Sequence, residues 1–305
     1  MPTKRSGTTW TREKSGLWIP SGRITDVTQS SRQSYLDLKE KTAVVEDIYI
    51  EAGLAITGQS DLRRLLTESK ALSDGWLLND RNLSAKQAIK IAYADRVFDA
   101  IVAIRDTPNR ATYLTHLLDG SLNLLERDRS KAKDTLWELE LYRIFKLLSL
   151  NPKLIDPPDI VIDIDGVSAG IACKKLYSTK HVQNVLSDAV SQVEDKYTVG
   201  LVAVNLDDLL PANGCLRVPD YPAYNEFVNN WNMRFLHDHD RHFRKYLSSG
   251  RIVSVYVSTS VVADIFNASP RLNNARQATV WNIPGLAKEK EKLLFSLYEK
   301  MGHDL

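Results

Sequence analysis

The sequence predicts an α/β (α+β) protein in which a central mixed sheet is flanked by helices and preceded by an α-helical region. Three observations support this prediction. Apolar residues recur at roughly helical spacing between Ser31 and about Leu125. An Asp165-Gly166 pair then separates two runs of alternating apolar residues, which is a strong hairpin signal. Helical and strand-like segments follow in a mixed order down to a C-terminal helix, as in mixed α/β folds.

The composition is that of an ordinary globular chain. Its 305 residues are 43% hydrophobic and 26% charged, enough for one large domain or two smaller ones. No apolar run approaches the roughly 20 residues that cross a bilayer, and the polar, basic N-terminus lacks the apolar stretch of a secretory signal. Only Cys173 and Cys215 occur, so no disulfide framework is implied and we expect a reducing, cytoplasmic setting. A net charge of +2 is too small to indicate nucleic-acid binding by itself.

Residues 1–30 are predicted to be a basic, flexible N-terminal segment. Its basic and aromatic residues are Lys4, Arg5, Arg12, Lys14 and Arg23, with Trp10 and Trp18 between them. Two interpretations stay open: a solvated tail, or a segment that follows a phosphate backbone and stacks on bases.

Residues 31–125 are predicted to be an α-helical domain of four or five helices. Its second helix begins near Asp61, and its third begins after Ser84 with a capping-box pattern. Pro108 ends the third helix. Nothing in this region indicates chemistry.

Residues 126–305 are predicted to be the α/β domain. Asp134 is the expected N-cap of its first helix. The predicted elements are a helix at Thr135–Leu150, the hairpin, a helix at Lys180–Lys196, a buried strand at Gly200–Asn205, a helix at Tyr224–Leu247, strands at Arg251–Ser258 and Ala278–Ile283, and a helix at Ala287–Met301.

The hairpin places specific residues opposite one another. A two-residue Asp165-Gly166 turn fixes the register, so that Asp159 faces Ala172. Because side chains alternate along a strand, Lys174 points to the same face as these two residues. The other face is apolar and carries Ile160, Ile162, Ile164, Ile171 and Cys173.

This segment resembles the PD-(D/E)xK, or restriction-endonuclease-like, nuclease superfamily. The matching sequence motifs are Pro158-Asp159 and Ile171-Ala172-Cys173-Lys174-Lys175-Leu176. In the second motif the superfamily has an acid in place of Ala172. A helix bearing a Glu precedes the hairpin in that superfamily, and a helix and a buried strand follow it. The resemblance covers about 70 residues, Leu136 to Val204.

The resemblance implies roles for four residues. Asp159 is a ligand of Mg²⁺ or Mn²⁺, Lys174 is the catalytic lysine, and Glu138 is an accessory acid or outer metal ligand. Ala172 occupies the position of the second metal-binding acid. Carboxylates on directly opposed strand positions have Cβ atoms about 4.5–5.5 Å apart and can share one cation. Glu140 is the alternative to Glu138, because both neighbour apolar positions of the helix and periodicity does not choose between them.

Two hypotheses account for Ala172. In the first, the natural residue is Glu and the chain carries a Glu→Ala substitution that abolishes catalytic activity. In the second, Ala172 is natural, and either Asp163 has taken over the role of the acid or the site is inactive. The intact surroundings, Lys174 above all, favour the first hypothesis.

Several residues are weaker candidates for contact with nucleic acid. They are Lys175, Gln192, Arg241 and Arg244. Gln192 and Tyr197 lie in or after the helix that follows the lysine strand, where the superfamily often has a Gln or Tyr near the DNA. The histidine-rich segment His237–His242 has metal-like spacing at His239 and His242, but a polar, solvated helix is the favoured interpretation. No Gly-rich phosphate loop occurs, so ATP hydrolysis by this chain is not expected.

The resemblance implies metal-dependent cleavage of DNA phosphodiester bonds by a restriction-endonuclease-like domain. It also implies a role in restriction, repair or anti-phage defence, as a homodimer or beside a separate ATP-driven partner protein, for which the helical region would be a docking or regulatory module. Two alternatives stay open: a nuclease fold that binds nucleic acid or protein without cutting, and a plain interaction protein in which the hairpin is scaffold.

Overall fold

The computed structural model describes the backbone of residues 9–12, 17–21, 27–77, 85–210, 212, 215–268 and 272–303. Within these ranges the helices are α1 (Val27–Glu51), α2 (Asp61–Leu77), α3 (Ala85–Ala103), α4 (Arg110–Leu117), α5 (Lys131–Leu147), α6 (Val182–Val193), α7 (Tyr221–Asp238), α8 (Asp240–Ser248) and α9 (Lys288–His303). The strands are β1 (Thr9–Arg12), β2 (Leu17–Ser21), β3 (Lys153–Ile155), β4 (Asp159–Ile164), β5 (Val167–Lys175), β6 (Val199–Asn205), β7 (Leu216–Val218), β8 (Ser254–Ile265) and β9 (Leu272–Trp281). The chain is therefore an α+β protein, as the sequence predicts.

The strands form one mixed sheet. In the described residues its order is β1-β2-β9-β8-β6-β5-β4-β3, and β7 pairs with β8 off this path. Strands β5, β6 and β8 run parallel to one another, and the remaining pairs along this order are antiparallel. The carboxyl ends of three neighbouring strands therefore meet at one edge, a common place for ligand sites in α/β proteins.

The predicted hairpin register is confirmed. Asp159 pairs with Ala172, and Ile164 pairs with Val167 across the Asp165-Gly166 turn. Asp165 and Gly166 both have left-handed φ values, 53° and 84°, as a tight turn of this kind requires.

Helices cover both faces of the central strands. On one face, Ile160, Ile162, Ile164, Ile171 and Cys173 belong to a core shared with helices α1–α5 and α9. The other face is covered by α6 and α8. Helices α1–α4 therefore pack on the sheet through one continuous core, while the domain boundary predicted near residue 125 stays a prediction.

Several elements differ from the sequence prediction. Helix α5 begins at Lys131, with Ser130 rather than Asp134 as its N-cap: the Ser130 hydroxyl accepts a hydrogen bond from the Lys133 amide at 3.4 Å. The single helix predicted at 224–247 is two helices, α7 and α8, that meet at His239. Strands β1, β2, β3 and β7 were not predicted, and β1 and β2 lie in the segment predicted to be flexible.

Some predictions fall outside the described residues. Among them are Lys4, Arg5, Lys14 and Arg23 of the basic segment, and the Ser84 cap, although α3 begins at Ala85 as that cap predicts. Among the helices in the described part of the chain, none is long and apolar enough to cross a membrane.

Candidate functional site

Asp159 lies at the first position of β4 in an unusual backbone conformation. Its φ is +121°, a region that residues other than Gly rarely adopt and that stores on the order of 1–3 kcal/mol of strain. Its side chain is buried, and its Oδ2 accepts a hydrogen bond from the Cys173 amide at 2.6 Å. The carboxylate is thus held against β5, beside the Ala172-Cys173-Lys174 segment.

Glu138 of α5 is the electrostatic neighbour of Asp159. Burial raises the pKa of Glu138 well above its usual value, and the charge of Asp159 raises it further. Burial also raises the pKa of Asp159 to about 7, although the Cys173 amide and the charge of Lys174 oppose this shift. The chain therefore holds two adjacent, poorly solvated carboxylates, an arrangement that a hard divalent cation stabilises.

Lys174 completes the group that the sequence predicts. Its charge lowers the pKa of both carboxyl groups, so it lies near them. Its Nζ donates a hydrogen bond to Gln192 Oε1 of α6 at 3.1 Å. Four predicted residues, Glu138, Asp159, Lys174 and Gln192, are thereby brought together around the β4–β5 pair.

Ala172 is fully buried among apolar side chains. It belongs to the core under α6, with Val182, Leu186, Val202 and Val204. Across the described residues, no group of three or more His, Cys, Asp or Glu side chains is placed to hold a metal ion. Glu138 and Asp159 therefore supply two acids suited to a divalent cation, and the position opposite Asp159 supplies none.

The two alternative acids do not join this centre. Asp163 is exposed beside the turn, where its Oδ1 accepts a hydrogen bond from the Gly166 amide at 2.8 Å. Four residues along a strand correspond to about 13 Å, so Asp163 is too far from Asp159 to replace an acid at 172. Glu140 lies in ion pairs with Arg96 at 2.6 Å and Arg276 at 2.5 Å, which lower its pKa despite burial. Of the two glutamates on α5, Glu138 is the one beside Asp159.

The weaker candidates for nucleic-acid contact lie on β5, α6 and α8. The Lys175 side chain is 5% exposed, and its Nζ donates to Asp208 at 2.5 Å and to Asn205 at 2.7 Å, so its ammonium group is held within the protein. Contact of Lys175 with nucleic acid stays a prediction. Arg241 and Arg244 are exposed on α8. Arg244 pairs with Asp240 at 2.8 Å and lies over the Trp281 ring, 5.6 Å from its centroid. Contact of either arginine with nucleic acid stays a prediction.

The histidine segment interrupts a helical stretch. The His239 and His242 rings stack with their centroids 6.2 Å apart, at the junction of α7 and α8. Partial burial, and then the charge of His242, lowers the pKa of His239. The His239 ring lies against Phe235 of the core under α6, with the ring centroids 4.8 Å apart and the planes tilted by 55°, so this segment is partly packed and not wholly solvated.

A second group of charged residues was not predicted. It consists of two neighbouring sets of ion pairs, which meet in the chain at Asp207 and Asp208. The first set contains Arg96, Glu140, Asp207 and Arg276, and the second contains Arg127, Lys133, Lys175 and Asp208. One sequence signal was available: Asp207 and Asp208 follow the end of the buried strand β6 after one intervening residue, and polar residues at this place often mark a site.

Tyr113 of α4 also borders the carboxylates. It is buried, and its pKa is raised by burial first and then by the charges of Glu138, Asp156 and Asp159. A residue of the N-terminal helices therefore reaches the candidate centre, for which the sequence offered no signal.

Comparison of the chain with protein-family models, with curated proteins and with solved structures finds no match in any of the three.

The raised pKa of Asp159 predicts a pH dependence of stability. Without metal, the native carboxyl group keeps its proton up to about pH 7, whereas an unfolded Asp releases it near pH 4. The native state then binds more protons between these values, so the free energy of unfolding falls as the pH rises through this window. Each unit of pKa difference corresponds to about 1.4 kcal/mol.

Urea unfolding between pH 4 and pH 8 in EDTA measures this effect. We expect Asp159→Asn to reduce the slope of stability against pH, with a remainder from Glu138. The exposed Asp163→Asn variant is the control and should keep the slope of the parent chain. Equal slopes for parent and Asp159→Asn would mean that Asp159 is ionised in the native state throughout the range.

Proposed function

We propose that the chain is a metal-dependent nuclease core of the restriction-endonuclease-like type that acts on DNA. The observation that carries the proposal is the convergence of Glu138, Asp159 and Lys174 at a strand pair whose register sets position 172 opposite Asp159. The order α5, β4–β5 hairpin, α6 and parallel strand β6 is the order that the resemblance implies and supports it further.

Each side chain has a distinct task in this proposal. Glu138 and Asp159 hold a divalent cation, Mg²⁺ or Mn²⁺, through carboxylate oxygens. When bound, the cation supplies charge stabilisation at the phosphate and lowers the pKa of an attacking water. Lys174 presents its ammonium group to the water and to the scissile phosphate, and Gln192 holds that ammonium in place through its hydrogen bond.

With Ala172 the centre lacks one acid, so the chain as it stands should cleave poorly. This is expected whether Ala172 is natural or replaces a Glu. The proposed setting is restriction or anti-phage defence, as a homodimer or with a separate ATP-driven partner.

A second candidate is a module that binds DNA without cutting it. The full burial of Ala172 among Val and Leu side chains favours it, because an alanine at this position places no polar group in the core.

Gel-shift titrations of a DNA duplex test whether the centre binds metal and DNA together. In the parent chain we expect Mn²⁺ to strengthen binding relative to EDTA, because the cation neutralises Glu138 and Asp159 next to the phosphate. Glu138→Gln and Asp159→Asn should remove the Mn²⁺ dependence, and the matched Asp163→Asn should keep it. An absence of DNA binding in both EDTA and Mn²⁺ would contradict both candidates and leave the interaction-protein hypothesis.

A further inference from the structure

A cavity of about 160 Å³ lies at the carboxyl ends of β5 and β6 and along β8. It is distinct from the proposed metal centre, because neither Glu138, Asp159 nor Lys174 lines it. Much of its wall is apolar or aromatic and is formed by Tyr93, Leu124, Leu210, Leu216, Phe227 and Val261. Phe227 is 40% exposed, so the cavity is reached from the surface beside this ring. An apolar wall with a few polar groups at one end is typical of sites for small organic ligands.

The polar end of the cavity holds one buried carboxylate oxygen that lacks a hydrogen-bond donor. The Asp208 side chain is 3% exposed, and its Oδ2 lies 2.5 Å from Lys175 Nζ. Its Oδ1 accepts no hydrogen bond within the described part of the chain. The ion-pair partners of this oxygen, Arg127 and Lys133, lie 3.8 Å and 3.9 Å away, which is too far for a hydrogen bond. A buried acceptor in this state is costly, so a ligand that brings an N–H or O–H donor is favoured here.

Lys175 supplies a donor next to this oxygen. Its Nζ contacts Asp208 Oδ2 at 2.5 Å and Asn205 Oδ1 at 2.7 Å. An ammonium group has three N–H donors, so among the described residues one of them is left for a ligand. Lys175 and Asp208 both line the cavity, and the ion pair between them sets a donor beside an acceptor. The complementary ligand carries an N–H, which donates to Asp208 Oδ1, beside a carbonyl oxygen, which accepts from Lys175.

We infer that this cavity binds a small planar ring with the hydrogen-bonding edge of a pyrimidine base, an N–H beside a carbonyl. The edge contacts Asp208 and Lys175, and the ring lies against the aromatic side chains of Phe227 and Tyr93. A cavity of about 150 Å³ holds a ligand of the size of benzene, so a single six-membered ring fits. The ring is neutral and leaves the ion pair of Asp208 and Lys175 in place. The site is independent of the proposed nuclease function.

Calorimetric titration with uracil, in EDTA and without DNA, tests this site. We expect saturable binding, together with slower modification of Cys215 by a thiol reagent. Cys215 lines the cavity and is half-buried, whereas Cys173 is buried, so the two thiols differ in accessibility. Pyrazine is a six-membered ring without an N–H and should bind about 10-fold more weakly or less, because it leaves Asp208 Oδ1 without a donor. Binding of pyrazine as tight as that of uracil, or neither heat nor protection of Cys215 with uracil, would overturn the inference.

A matched pair of variants locates the bound ring. Phe227→Ala removes one aromatic wall and should weaken uracil binding about 5-fold or more, as loss of a stacking partner does. Phe295→Ala is the control, because Phe295 is 39% exposed against 40% for Phe227 and does not line the cavity. Both side chains are exposed, so both variants should fold. Equal affinity of the two variants for uracil would place the ring elsewhere and overturn the inference.

A short single-stranded oligo(dT) distinguishes the two sources of such a ring, a free base and an unstacked base of a strand. Protection of Cys215 by both uracil and oligo(dT) would show that the cavity accepts a base within a strand. Protection by uracil alone would identify a free small molecule as the ligand. Protection by neither would contradict the inferred site.

Discussion

The Ala172→Glu variant is expected to cleave DNA in Mg²⁺ or Mn²⁺ at least ~100-fold faster than the parent chain, a factor typical of restoring one electrostatic group of a catalytic site. The new carboxylate would stand opposite Asp159 in the confirmed register and beside Lys174 on the same strand. It adds the acid that the pair of Glu138 and Asp159 lacks. Time courses on supercoiled and linear DNA, with EDTA as the blank, measure the rate.

Controls separate catalysis from folding. Ala172 is fully buried, so a Glu there should lower the stability in EDTA, and Mn²⁺ should restore it. Ala172→Gln has nearly the same shape as the Glu variant without the charge, so Mn²⁺ should stabilise it no more than it stabilises the parent chain, and cleavage should not increase. Adding Lys174→Met to Ala172→Glu should remove cleavage while the metal still stabilises the fold. A folded, Mn²⁺-stabilised Ala172→Glu chain that leaves DNA intact would argue for the binding module.

The sequence could predict this pairing because the information is local. Asp165-Gly166 accepts the left-handed backbone of a two-residue turn, and the alternation of apolar residues sets which side chains share a face. Together they determine that Asp159 meets Ala172, thirteen positions away in the chain. Lys174 follows from the same alternation, two residues beyond Ala172.

The remaining features depend on contacts between distant segments. Arg96 and Asp207 are 111 positions apart, and no pattern near either residue indicates that they form an ion pair. The pairing of β2 with β9 likewise depends on where the N-terminal segment lies relative to the end of the chain. The φ of +121° at Asp159 is imposed by its surroundings and is not a preference of aspartate.

The two glutamates of α5 are expected to respond to the same substitution in opposite ways. Glu140→Gln should lower the free energy of unfolding by about 3–5 kcal/mol, the usual cost of removing one partner from a buried ion pair. Glu140 is 7% exposed and accepts from Arg96 and Arg276, and its loss leaves both guanidinium groups short of negative charge. Glu138→Gln should leave the stability unchanged or raise it at pH 8 in EDTA, since burial and the charge of Asp159 oppose ionisation of Glu138 in the native state, whereas an unfolded Glu ionises freely at that pH.

This contrast discriminates between a structural and a functional glutamate, which helical periodicity could not do. When a residue supports the fold, removing its charge lowers the stability of the protein. When a residue is held in an unfavourable environment for the sake of a ligand, removing its charge raises the stability of the ligand-free protein. Urea unfolding of both variants, with and without Mn²⁺, compares two glutamates that lie within one turn of the same helix. We expect Mn²⁺ to stabilise the parent chain and Glu140→Gln but not Glu138→Gln. A Glu138→Gln variant that loses as much stability as Glu140→Gln would assign Glu138 to the scaffold, and the metal centre would then lose one of its two acids.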